Sequence, residues 1–209
     1  MSDHDKKTPD ENTHEAPRFL EGYFLISEVE LMDPNFYRTV VLLVKHDEEG
    51  AFGLVVNRRS NVTLGELVEG FEDSEARSLP IHVGGPVQQE FMFTLHSGLP
   101  DQLRSEHAST PSPGVVFEPV TESVVEYLRD EWITLPANER PKIHLFAGYS
   151  GWGAGQLEGE LEAKAWVIMP ATSDLVFYPN PAEGWRQALG RKGAFYKIVA
   201  ETGFKPSMN

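Results

Sequence analysis

Apolar and polar positions along this chain alternate between short β-like runs and brief amphipathic segments. Gly22-Tyr-Phe-Leu-Ile-Ser27 reads as a strand. Turn chemistry at Met32-Asp-Pro-Asn35 separates it from Arg38-Thr-Val-Val-Leu-Leu-Val44, a nearly unbroken aliphatic run that predicts a strand buried on both faces. A polar turn from Lys45 to Gly50 leads into Ala51–Val56, so the two runs predict a hairpin. Thr63-Leu-Gly-Glu66 has capping-box spacing and predicts a short helix through Val68. Ser74 to Pro80 reads as a loop, and Ile81–Val83 and Phe91–His96 read as strands flanking Gly84-Gly85-Pro86. The stretch from Gly98 to Gly114, rich in Ser, Thr and Pro, reads as a mobile excursion.

In the second half, Thr121 caps a helix with Val124, Val125, Leu128 and Trp132 on its apolar side. Glu122, Glu126 and Asp130 form its outer stripe, which reads as a solvated face, with a docking surface for a basic partner as the sharper alternative. Ile143–Gly148 predicts a strand, and Gly151-Trp-Gly-Ala-Gly155 a turn feeding a helix from Gln156 to about Glu162. Strands follow at Ala165–Met169 and Leu175–Tyr178, then a helix near Pro181–Leu189 and a last strand at Phe195–Val199. Short helices interspersed among hairpins argue a single α+β domain with a mixed, mostly antiparallel sheet over residues 18–202. Residues 1–17, polar and poor in buriable side chains, read as a disordered tail, and 203–209 as a flexible end.

Charge narrows the partners. The formal charge is −14, from 32 acids against 18 Lys and Arg, and most of it lies beyond the first 17 residues. Such a body repels nucleic-acid backbones and anionic lipid, which argues against direct nucleic-acid binding. Basic residues gather only near the C-terminus, at Arg186, Arg191, Lys192, Lys197 and Lys205, where they could hold an anionic partner or the protein's own acidic surface. With no cysteine there is no disulfide, thiolate metal site or Cys nucleophile. The N-terminus lacks an apolar signal region and no apolar run approaches a membrane span, so a cytoplasmic address is expected.

Candidate chemistry is sparse. Gly148-Tyr-Ser-Gly-Trp-Gly-Ala-Gly155 lies between a strand and a helix, where backbone N–H groups can hold an anion. It fails the dinucleotide fingerprint at Gln156, and it lacks the Gly-Lys-Ser/Thr of a P-loop. The plainer reading is a tight turn in which glycine lets the helix pack close. Ser150 nearly fits a nucleophile elbow, but Trp152 stands where the second glycine belongs. His46, His82, His96, His107 and His144 show no metal-ligand spacing, though His82, His96 and His144 lie in or beside strands that could bring them together. No cofactor or metal is indicated, and the balance leans against an enzyme.

Three blocks carry a resemblance. Gly22–Asn57, Val83-Gly-Gly-Pro-Val-Gln88 with Phe93-Thr-Leu-His96, and Phe146-Ala-Gly-Tyr-Ser-Gly-Trp-Gly-Ala-Gly-Gln-Leu-Glu158 resemble, in order and spacing, the bacterial YqgE/AlgH family from about residue 19 to 200. Ser150 departs from the family's pattern, where a small residue such as Ala is expected. The resemblance implies one α+β domain with a curved, partly barrel-like sheet and several short helices. It implies no established activity, since some members carry only the label of transcriptional regulator. A ligand site, if built from the shared blocks, would join His46, Asn57, Gly84, Gly85, Gly148, Ser150, Gly151 and Gly153. The expectation is a regulatory binding module acting through a protein or a small anionic ligand. The alternative is an enzyme or phosphometabolite-binding protein using the Gly148–Gly155 turn.

Overall fold

The structure, a computed structural model, describes residues 17–205. The tail expected over residues 1–17 therefore lies outside the described residues except for Pro17, and so does the expected C-terminal end beyond Lys205.

The first half supplies β1 (Tyr23–Ser27), β2 (Val40–Asp47), β3 (Gly50–Val55), β4 (Arg59–Thr63), α1 (Leu64–Leu67), β5 (Pro80–Val83) and β6 (Val87–His96). Then come β7 (Ser109–Ser112), β8 (Val115–Pro119), α2 (Glu122–Asp130), β9 (Ile143–Gly153), α3 (Gln156–Glu162) and β10 (Trp166–Pro170). The chain ends with α4 (Ser173–Val176), α5 (Pro181–Gly190) and α6 (Ala194–Thr202). One curled sheet runs in the order β10-β1-β2-β3-β9-β6-β8-β7, with β5 on β9 and β4 on β5. Every pairing in it is antiparallel except β5 with β9.

The curl brings the last strand round to the first. A Cβ on Gly22 would stand 2.2 Å from the carbonyl oxygen of Pro111, and Ser112 Oγ donates to the Ala171 carbonyl at 2.8 Å. Inside the curl, Phe24, Ile26, Val40, Leu42 and Leu54 pack with Phe146 and with Trp185, Leu189 and Val199 of the C-terminal helices. Outside, Leu25, Val41, Leu43 and Val55 pack under α3. Alternate residues of β2 thus enter two different cores, which is why its sequence is apolar throughout. A third cluster, Leu64, Phe71, Ile81, Val124, Leu128 and Leu145, seats α1 and α2 on the outer side of β5 and β9.

α3 is fastened by one carboxylate. Trp152 Nε1 and Trp166 Nε1 both donate to Glu160 Oε2, at 2.9 and 2.8 Å, and Phe36 stacks on Trp152 with ring centroids 6.0 Å apart. Truncating that carboxylate would strand two largely buried donors, each at a cost of about 1–3 kcal/mol. We expect Glu160→Ala to lower stability by about 2–3 kcal/mol in urea titration and to change the tryptophan emission. A loss below about 0.5 kcal/mol would mean that water replaces the clamp.

Several expected elements differ. The 74–80 loop contains a 3-10 turn at Glu75–Ser78, whose Ala76 N–H is capped by Ser74 Oγ. The excursion from Gly98 to Gly114 folds as a 3-10 turn at Asp101–Leu103 and as β7 against β8. Two expected strands are helical: Leu175–Tyr178 overlaps α4, and Phe195–Val199 lies within α6. The glycine-rich segment is not a strand-to-helix turn either, because β9 continues through it to Gly153. Among the described residues no helix is long and apolar enough to cross a membrane.

Candidate functional site

The glycines of the second and third blocks meet at one crossing. β6 follows one edge of β9 as far as Tyr149, while along the other edge β9 pairs first with β5, as far as Ala147, and then with β3 from Ser150. It changes partners at Gly148, whose φ of +69° is a left-handed conformation that glycine adopts without strain. The segment between β5 and β6 passes against it so closely that a Cβ on Gly84 would lie 2.2 Å from the Gly148 oxygen. A Cβ on Gly85 would lie 2.2 Å from the carbonyl carbon of Tyr149. The Gly84 carbonyl accepts from Val55 N–H at 2.8 Å and from Ser150 Oγ at 3.1 Å, so the Ser150 hydroxyl is fully buried and already committed.

The crossing holds Gly84, Gly85, Gly148 and Ser150, but the other expected site residues lie elsewhere. Gly151 and Gly153 are exposed on the β9 segment facing β3, opposite Phe52 and Gly50. Asn57 bridges the start of β2, accepting from Val40 N–H at 2.7 Å and donating to the Arg38 carbonyl at 2.9 Å. His46 lies near the other end of β2, six residues and roughly 20 Å along the strand. Its Nδ1 accepts from Leu20 N–H at 2.9 Å, which leaves Nε2 as the protonated nitrogen facing Glu158 Oε1 at 3.0 Å. With its lone pair taken, neutral His46 has none free for a metal or a substrate proton.

His96 repeats the arrangement. Nδ1 accepts from Leu99 N–H at 3.0 Å and Nε2 faces Glu118 at 3.5 Å, while the other Glu118 oxygen accepts from Ser105 N–H at 2.9 Å. Burial outweighs the Glu118 charge and holds this imidazole below its ordinary value. The pair pins the residue 97–108 segment to β6 and β8.

Of the three strand histidines, two converge. The rings of His82 and His144 stack with centroids 4.5 Å apart, because parallel pairing places His82 opposite Phe146 and His144 lies two residues before it on the same face. Both nitrogens of His82 and Nδ1 of His144 are buried without a hydrogen-bond partner. Burial pushes His82 down to about 4, although the Leu145 backbone approaches closely enough to offset part of the shift, and Arg59 adds to it. Burial, then the charges of His82, Arg59 and Lys142, take His144 to about 3. Leu95 rather than His96 pairs with His144, so His96 falls on the opposite face. Among the described residues, no three His, Cys, Asp or Glu side chains gather as metal ligands.

The C-terminal basic residues serve mainly the protein's own surface. Arg191 pairs with Asp174, Lys205 with Glu28, and Arg186 with Glu183, while Lys192 Nζ donates to the Ile168 carbonyl.

What remains open is the end of the curled sheet. A bulge between Leu43 and Lys45 shifts the ladder so that Lys45 pairs with Phe52. The Phe52 ring meets Phe93 and Phe117, each at 5.5 Å between centroids, and Tyr149 at 4.8 Å. Phe93 stacks on Phe117 at 5.6 Å. Phe52, Phe93 and Tyr149 stay only partly buried. A cavity of about 430 Å³ opens onto Val44, Phe52, Phe93 and Phe117, with Lys45 and His107 among its polar groups. Sequence reasoning missed this cluster, since its rings come from four strands whose register no local pattern reveals.

A protein-family model described as AlgH-like matches residues 24–197. A UPF0301 protein from Chlorobium limicola is 34% identical over 196 residues, covering 94% of this chain and 99% of its own. Another from Thioalkalivibrio sulfidiphilus is 37% identical over 182 residues, covering 85% and 91%. The solution structure of the AlgH protein from Pseudomonas aeruginosa matches with a TM-score of 0.70 at 30% identity, over 94% of this chain and 100% of that one. A crystal structure from Corynebacterium diphtheriae shares the fold at 22% identity, with a TM-score of 0.67 over 89% and 93%.

Proposed function

The chain belongs to the AlgH-like family, and from that premise we propose that it is a cytoplasmic binding module that takes a small apolar ligand with an anionic end into the open mouth of its curled sheet. The observation carrying this reading is the half-open ring cluster of Phe52, Phe93, Phe117 and Tyr149 beside a cavity of about 430 Å³. Barrel mouths lined by aromatic side chains with a few polar groups at the rim are a common form of small-ligand site. Lys45, paired with Asp47 at 2.7 Å, keeps further N–H donors for the ligand's polar end at a rim it shares with Glu21 and His107, and Ser109 adds a hydroxyl. The ligand's effect is regulatory, exerted through contact with another protein. The −14 charge supports indirect action over direct binding to nucleic acid.

A glycine-turn anion site, which an enzymatic or phosphometabolite reading would need, has lost its geometry. The Gly148–Gly153 backbone belongs to β9, and α3 is preceded by Gly155 in a left-handed conformation.

The test is an amide chemical-shift map of the ¹⁵N-labelled protein titrated with 4-phenylbutyrate. At roughly 0.3 kcal/mol per heavy atom this probe should saturate with a Kd of about 2 mM. Shifts should centre on Val44, Lys45, Phe93 and Ser109, and Phe93→Asp should abolish them. Shifts scattered over the surface, or unchanged in that variant, would overturn the reading.

A further inference from the structure

We infer that residues 98–108 form an acid-released latch on the mouth: proton uptake by His96 opens the segment and releases the ligand. The inference rests on the mouth reading above and adds its regulation. The segment is fixed at both ends. Ser97 N–H donates to the Lys142 carbonyl at 3.0 Å and Lys142 N–H to Ser97 Oγ at 2.9 Å, while Ser109 pairs with Phe117. His107 and Ser109, at the far end, line the mouth, so lifting the segment removes part of its wall.

Between those ends little is buried. Leu99 and Leu103 are half-buried against the cluster that seats α2, whereas Asp101, Gln102, Arg104, Glu106 and His107 are exposed. The ties to β6 and β8 run through two buried side chains, His96 and Glu118. Leu99 N–H donates to His96 Nδ1, and Ser105 N–H to Glu118 Oε2. An imidazole accepts through Nδ1 only while neutral. Once protonated it turns N–H against N–H, and the Leu99 tie is lost. Nε2 gives little in return, since it stands buried 3.5 Å from Glu118 Oε1 with no hydrogen-bond partner. The charged groups acting on the ring are Glu118, which favours the imidazolium, and Arg104 of the segment, which opposes it. β9 sets Ile143 opposite His96, and α2 adds Tyr127 to the cluster that Leu99 and Leu103 join. Burial decides the balance and keeps the closed ring neutral near pH 7. In the open segment the ring regains water and its ordinary value of 6.5. Each pH unit below that raises the open fraction up to about tenfold, until the closed ring itself takes a proton.

The test is amide hydrogen exchange of the ¹⁵N-labelled full chain, read as protection factors. Leu99 and Ser105 should be less protected than Leu42 of β2, which opens only with the whole fold. From pH 7.0 to 5.5 their protection should fall about threefold to eightfold. His96→Asn keeps an acceptor at the Nδ1 position and cannot titrate, so the same range should move protection by no more than about twofold. Glu118→Gln keeps an acceptor for Ser105 and should retain the slope. At pH 7.0, 4-phenylbutyrate at ten times its Kd should raise protection at both amides about tenfold, because the open segment does not hold it. A slope lost in Glu118→Gln would assign the proton to the carboxylate and overturn the inference. So would equal protection at Leu99, Ser105 and Leu42, a slope unchanged in His96→Asn, or 4-phenylbutyrate that saturates Val44 and Phe93 without protecting the two amides. Failure of the mouth reading shows separately, as an absence of saturable shifts at Val44 and Phe93, and it ends the coupling even where the pH slope stands.

Discussion

Gly85→Ala should cost this protein at least about 3 kcal/mol of folding stability, the largest loss expected from adding a single methyl group. The Cβ would enter the backbone of Tyr149 and Ser150, at 2.2 Å from the Tyr149 carbonyl carbon and 2.4 Å from the Ser150 nitrogen. Neither neighbour is a side-chain tip that can rotate away. Relief requires β9 to move at the point where its edge passes from β5 to β3, which would strain the Val55 N–H bond to the Gly84 carbonyl as well as the Ser150 bond. Gly153→Ala is the matched control, because a Cβ there meets nothing within 4 Å and its φ is not in the left-handed region. It should change stability by no more than about 0.5 kcal/mol. Urea titrations of both variants decide the matter. Equal midpoints would show that the close crossing relaxes at little cost, and the role assigned to these glycines would be lost.

This crossing shows where a sequence can be read and where it cannot. The glycines at 84, 85 and 148 announce that backbone comes close to something, but a turn and a strand crossing make the same local demand. Only pairing across more than sixty residues distinguishes them. β1, β2 and β3 are legible because β2 enters two cores and is apolar at every position from Val40 to Val44. α1 is legible because the capping box satisfies its own donors locally. β4 and β7 are not, since Arg-Ser-Asn-Val-Thr and Ser-Thr-Pro-Ser owe their extended form to ladder partners. The short apolar runs at Leu175 and Phe195 fit a strand or a buried helix equally by period. In α6 the wheel decides: Val199 and Ala200 are buried while Ile198 between them and Tyr196 is 49% exposed. The aromatic mouth needed the register of four strands. Of the histidines, only the parallel partner of β9 joins His82 to His144 and leaves His96 on the other face.

That stacked pair makes the second large effect a pH dependence. Both imidazoles are held neutral by burial, His82 down to about 4 and His144 to about 3, against 6.5 for an exposed histidine. A folded-state value below the unfolded one means that the unfolded chain takes up protons first as pH falls. Stability contributed by the neutral pair is therefore complete above pH 6.5 and is lost progressively down towards pH 4 for His82 and pH 3 for His144. Each unit of pH within that window costs up to about 1.4 kcal/mol per histidine, so by pH 5 the pair should remove up to about 4 kcal/mol. Small domains have only about 5–15 kcal/mol in total, so this is a large fraction. Asp174, held by Arg191 at about 2, loses its contribution only at lower pH. The double variant His82→Leu/His144→Leu replaces unpartnered buried polar rings by apolar side chains of similar size, a change that is often neutral or stabilising. It should match the parent protein near pH 7.5 and exceed it by about 3–4 kcal/mol at pH 5. Urea unfolding across pH 7.5 to 4.5 measures both slopes. Parallel slopes would locate the acid sensitivity elsewhere, with His96 beside Glu118 as the next group to remove, because burial lowers that imidazole too.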